Sequence, residues 1–107
     1  MTQRNEKVAN NIKKFAAQFL GRENNKTSLL TVISATVSPD LKRATIFITI
    51  FPVSKENDAL NFAKRRLGEL REFLKKNMSI KIIPFLDVEI DQGEKHRQKI
   101  DELLRNG

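Results

Sequence analysis

The sequence contains no cysteine, which excludes disulfides and thiolate metal sites and fits a reducing compartment. Its one histidine, His96, sits in a charged stretch with no serine or cysteine beside it, so a catalytic triad has no basis. Only four glycines are present, and neither GxGxxG nor GxxxxGK occurs, so there is no phosphate-cradling loop. No apolar run approaches the length of a membrane span. The opening residues, Met1 to Lys7, are polar and lack the apolar core of a signal peptide. There is no internal repeat and no low-complexity segment. These absences point to a cytoplasmic monomer with no membrane partner, no metal and no cofactor.

What is there is a charge pattern. The 107 residues are 39% apolar and 31% charged, a globular balance that suits one domain over 1–107. The net charge is +7. Residues 1–26 carry six basic and two acidic side chains, net +4, and residues 27–59 carry three of each. Residues 60–81 carry seven basic against two acidic, net +5, and residues 82–107 four basic against six acidic, net −2. Both basic blocks have helical periodicity, the footprint of polyanion binding or of a solubilising surface.

A helix is predicted over about 6–20. Val8, Ile12, Phe15, Ala16, Phe19 and Leu20 form its apolar stripe, Asn5 its N-cap and Gly21 its C′ residue. A polar linker over 22–26 follows. Leu29, Thr31, Ile33, Ala35 and Val37 alternate along a first strand, and Ala44, Ile46, Ile48 and Ile50 along a second. Ser38-Pro39-Asp40 between them is turn chemistry. Pro52 ends the second strand, and Ser54 or Asn57 caps a long helix over 57–76. Its apolar face is Ala59, Ala63, Leu67, Leu70 and Leu74, with Phe73 alongside. A third strand places Ile80, Ile82, Leu86, Val88 and Ile90 on one face, interrupted at Pro84. Residues 93–107 read as a loosely ordered tail with a short amphipathic pattern in Ile100, Leu103 and Leu104. Val8, Ile12, Phe15, Ile33, Ile46, Ile48, Ala63, Leu70, Leu74, Ile82 and Val88 are the expected core. The order gives an α+β domain with helices on one side of a three-stranded mixed sheet.

The long helix is the most basic element. On an ideal helix Lys64, Gly68, Arg71 and Lys75 lie near one line opposite the apolar face. The lysines and arginine suit successive phosphates, and Gly68 offers close approach to a sugar-phosphate backbone or marks a kink of positive φ. Arg65, Lys76 and Lys81 widen the patch.

Several stretches together resemble bacterial ribosome-binding factor A. They are Lys7-Val8-Ala9, Val37 to Ala44 across the hairpin, Leu60 to Gly68, Met78 to Leu86, and Ile100-Asp101-Glu102-Leu103-Leu104. The resemblance covers most of the chain. It implies a type II KH-like domain, helix-strand-strand-helix-helix-strand, in which an Ala-x-Gly kink replaces the usual KH loop. The matching positions here are Arg66-Leu67-Gly68, with glycine kept and alanine replaced. A kink there would also relieve Arg66, which an unbroken helix sets near its apolar face. The resemblance further implies binding to the free 30S ribosomal subunit and its 16S rRNA, a part in subunit maturation and rRNA processing that matters most in the cold, and no catalytic role.

Two other readings rest on the residues alone. Asp87, Glu89 and Asp91 share one face of the third strand and could serve a carboxylate-metal nuclease, or simply guard a sheet edge. Phe47 and Phe51 share a sheet face that could stack bases or dock a protein.

Overall fold

A computed structural model describes residues 2–22 and 29–91. The elements are α1 (Thr2–Arg22), β1 (Leu29–Val37), β2 (Arg43–Phe51), a 3₁₀ turn (Val53–Lys55), α2 (Glu56–Arg65), α3 (Leu67–Asn77) and β3 (Phe85–Ile90). The fold is α+β, and its helix-strand-strand-helix-helix-strand order is the KH-like one.

The sheet order is β1-β2-β3. β2 pairs antiparallel with β1 and parallel with β3. Being central, β2 follows strict alternation: Ala44, Ile46, Ile48 and Ile50 are buried, while Thr45, Phe47 and Thr49 are half-buried on the opposite face. Pro52, joined to Phe51 by a cis peptide bond, cannot donate to a ladder and ends the strand. The helices lie over the Ile46–Ile48 face. Val8, Ile12, Ala16 and Leu20 from α1, Ala59 and Ala63 from α2, and Leu70 and Leu74 from α3 meet the strands in one core. Phe73 closes the α1–α3 seam, with its ring 6.2 Å from Phe15 and 5.6 Å from Phe19.

Four sequence expectations need correction. Helix α1 starts at Thr2 and runs to Arg22, so Asn5 is no cap and Gly21 no C′ residue. Gln3 and Arg4 are good helix formers, and no glycine among the described residues has positive φ. In β1 the register shifts between Val32 and Ser34. This bulge inverts the phase, so Leu30 and Val32 face the core before it and Ala35 and Val37 after it. Ile33, expected in the core, sits at the bulge and is 38% exposed. Helix α2 begins at Glu56 after the 3₁₀ turn, with Lys55 at the N-cap, so neither Ser54 nor Asn57 caps it. Strand β3 starts only at Phe85. The stretch before it is irregular, which turns Ile82 out to 78% exposure and buries Ile83 and Pro84 instead. The amphipathic pattern at Ile100, Leu103 and Leu104, the tail over 93–107 and His96 lie outside the described residues.

Candidate nucleic-acid interface

The helical pattern over 57–76 is two helices, as the resemblance implies, and the reason lies in Arg66. Arg66 follows Ala59 and Ala63 and precedes Leu70 at helical spacing, so an unbroken helix would drive a guanidinium into the core. The backbone breaks there instead, at φ −93° and ψ 0°. The Arg66 N–H is shared between the carbonyls of Phe62 (3.2 Å) and Ala63 (3.1 Å). Helix α3 then restarts with Leu70 N–H donating to the Arg66 carbonyl at 2.9 Å. The freed guanidinium lies 5.8 Å over the Phe62 ring and pairs with Glu69 at 3.1 Å.

Gly68 therefore lies in the first turn of α3, not at a positive-φ kink. A Cβ built on it meets nothing within 4 Å. Glycine thus leaves the side-chain direction open in the first turn of α3, which also carries Glu69. Beside it opens a cleft of about 470 Å³ lined by Leu67, Gly68, Arg71, Phe85 and Leu86.

Arg71 is half-buried, and its Nη1 donates to the Pro84 carbonyl at 2.9 Å. It ties α3 to the connection leading into β3 and carries its positive charge at the cleft wall. Lys64 and Arg65 are exposed in the last turn of α2, across the break from Gly68. Lys75 and Lys76 are exposed in the last turn of α3. Lys75 pairs with Glu72 at 3.3 Å, but both side chains are more than half in solvent, so the pair is weak. Lys81 is exposed in the α3–β3 connection and lines a separate cavity. The break thus divides the expected line: Gly68 and Arg71 share a cleft, Lys64 and Arg65 end the helix before it, Lys75 and Lys76 lie at the far end of α3, and Lys81 lines a separate cavity.

Phe85 was not among the expected site residues. It is 70% exposed and belongs to the cleft. Its signal was in the sequence: with Leu86 and Val88 inward, position 85 has to point out. Phe47 is half-buried and Phe51 72% exposed on the open sheet face, away from this cleft. Asp87 Oδ1 accepts the Val88 N–H at 2.8 Å. Among the described residues no three carboxylate or imidazole groups converge to hold a metal, so Asp87, Glu89 and Asp91 form no such cluster.

The hairpin turn is tightly specified. Asp40 Oδ1 accepts from the Ser38 hydroxyl at 2.6 Å and from the Lys42 N–H at 3.0 Å, and Leu41 takes φ 61°. These two hydrogen bonds, the Ser38 hydroxyl's first, hold the Asp40 carboxyl below its ordinary value.

Comparison with known proteins agrees with the fold. A family model described as ribosome-binding factor A matches residues 4–104. Ribosome-binding factor A of Magnetococcus marinus is 33% identical over 108 residues, covering 97% of this chain and 88% of that protein. That of Paenarthrobacter aurescens is 32% identical over 102 residues, covering 92% of this chain, which spans only 61% of that longer protein. The crystal structure of ribosome-binding factor A from Thermus thermophilus aligns with a TM-score of 0.71 at 19% identity, over 80% of this chain and 94% of that one. With the family model spanning nearly the whole sequence, the chain belongs to the ribosome-binding factor A family.

Proposed function

We propose that this chain is a non-catalytic assembly factor that binds the free 30S subunit through its 16S rRNA and promotes subunit maturation. One observation carries the reading. The helix break sets Gly68, with nothing in its side-chain direction, in a cleft with the half-buried Arg71 and the exposed Phe85, within the most basic stretch of the chain. A phosphate meets the first-turn amides of α3, and the flanking Lys64, Arg65, Lys75 and Lys76 take its neighbours. Phe85 offers a face for a base or sugar. Such contacts read the shape of folded RNA rather than a long sequence.

Co-sedimentation with free small subunits and with whole ribosomes tests this. The proposal expects association with free subunits that weakens steeply with salt. Equal association with both particles, or none with either, refutes it. Incubation of RNA with the protein and magnesium should leave the RNA intact; cleavage would favour a nuclease instead.

A further inference from the structure

A second cavity, of about 420 Å³, opens where α1, the hairpin turn and the α3–β3 connection meet. Val8, Leu41, Ile80 and Ile83 give it aliphatic walls, and Ile82, mostly in solvent, also lines it. Three charged residues line it as well: Lys42, Lys81 and Asp40. Both lysines are exposed, and neither forms an ion pair among the described residues. Asp40 uses one oxygen, Oδ1, for both turn-fixing bonds, which leaves Oδ2 as an acceptor for an occupant.

These features suit an occupant with an apolar body, an anion attached to it and a donor on its edge. An apolar side chain of a polypeptide would satisfy the walls but leave the two ammonium groups and the carboxylate oxygen unmatched. An unpaired nucleobase satisfies all of them. The position agrees: Pro84 lines this cavity and Phe85 the Gly68 cleft, so consecutive residues wall the two. The Phe85 N–H donates to the Lys42 carbonyl at 2.8 Å, fixing the two cavities against each other.

We infer that this cavity takes one unpaired base of the bound RNA, with flanking phosphates on Lys42 and Lys81 and the base's exocyclic amino group donating to Asp40. The inference rests on the RNA-binding reading above and deepens it. A carboxylate held well ionised by the Ser38 and Lys42 donors accepts hydrogen bonds and donates none. Bases with an amino group therefore fit best, whereas uracil presents a carbonyl at the same place and its one edge donor, N3–H, lies between two carbonyls that the carboxylate repels.

The test is fluorescence anisotropy with labelled oligocytidylate and oligouridylate of equal length at one salt concentration, since these differ only at position 4, amino against carbonyl, and at the neighbouring N3, acceptor against N–H. Oligocytidylate should bind roughly 3- to 10-fold tighter, the worth of about one net hydrogen bond. Asp40→Asn keeps an oxygen for Ser38 and Lys42 but replaces the free acceptor with an NH₂ donor, which cytosine N3 and uracil O4 can both accept, so the preference should be lost. Ile82→Ser, at an exposed position that leaves the unfolding midpoint in place, should weaken both oligonucleotides by roughly fivefold. Equal wild-type affinities, or a preference untouched by Asp40→Asn, overturn the inference while leaving the broader reading intact. Failure of both oligonucleotides to bind overturns the inference too, and subunit co-sedimentation then decides the broader reading separately.

Discussion

Along β2 every second side chain meets the helices, and Ala44, Ile46, Ile48 and Ile50 are all buried. Between Arg66 and Pro84 no single period runs. The helix breaks at Arg66, restarts beside Gly68, and gives way after Asn77 to a connection whose Ile82 points out while Ile83 points in. The first region is held by apolar burial on a regular ladder. The second also buries Leu70, Leu74, Met78 and Ile83, but its irregular turns are fixed by particular bonds to backbone: the Arg66 N–H on two carbonyls, Arg71 on Pro84, and Asn77 Nδ2 on the Phe73 carbonyl at 2.7 Å. The difference shows where function can reside. A ladder closes its backbone groups against one another, whereas the irregular stretch leaves a helix start and two cavities open to a partner.

Substitution in the ladder should carry the largest stability cost and the smallest functional signature. Ile48 is fully buried on the central strand, so Ile48→Ala should destabilise by about 2–5 kcal/mol in chemical denaturation. The salt dependence of subunit binding by the folded fraction should not change. A loss below about 1 kcal/mol would break the contrast.

Arg71→Gln comes next. The side chain is partly in solvent, and hydrogen bonds to charged groups contribute roughly 1.5–3 kcal/mol when well sheltered, so about 1–2 kcal/mol should be lost. Amide exchange should speed up at Ile82 and Ile83 before it does in β2. Uniform acceleration across both regions would mean that Arg71 supports the fold as a whole, not the connection.

This contrast also governs what could be read from the amino acids. The core faces of α1 and β2 were legible because burial there follows a period. The β1 face was read in the wrong phase before the bulge, since Ile33 is as apolar as Val32 and nothing in the residues marks where a ladder slips. The site was legible as composition: Lys64, Arg65, Gly68, Arg71, Lys75, Lys76 and Lys81 stood out as a basic stretch. Its geometry was not, because the line through Lys64, Gly68, Arg71 and Lys75 assumed an unbroken helix. The signal against that assumption, Arg66 near the apolar face of an ideal helix, was in the residues and agreed with the kink that the resemblance implies. Arg71's bond to Pro84 had no sequence signal, since it joins residues brought together only by the fold.

Gly68→Ala should have a smaller effect, of the opposite sign. The residue is helical and its Cβ direction is open, so alanine should stabilise by about 0.4–1 kcal/mol. If a phosphate approaches the first turn of α3, the added methyl should still weaken subunit binding. A more stable variant with unchanged affinity would remove close backbone approach from the proposed interface.

The smallest stability effects belong to the exposed cations, where the functional effect should be plainest. Lys64, Lys75 and Lys76 stand in the last turns of α2 and α3, all exposed, and among the described residues the one ion pair they form is the weak one of Lys75 with Glu72. Glutamine at all three should change stability by no more than about 0.5 kcal/mol per site. If each neutralises one phosphate, binding releases counterions, and the slope of log affinity against log salt should flatten by about 0.7–0.9 per contact, roughly 2–3 units in all. The matched variant is Lys7, Lys13 and Lys14 to glutamine, three exposed cations on α1. It removes the same charge from the other basic block of the chain and should flatten the slope far less. If the α1 triple loses as much slope as the helix-end triple, the protein's net charge of +7 drives association without regard to place. The break at Arg66 would then be a packing solution for one misplaced arginine, and the cleft beside it would have no part in holding RNA.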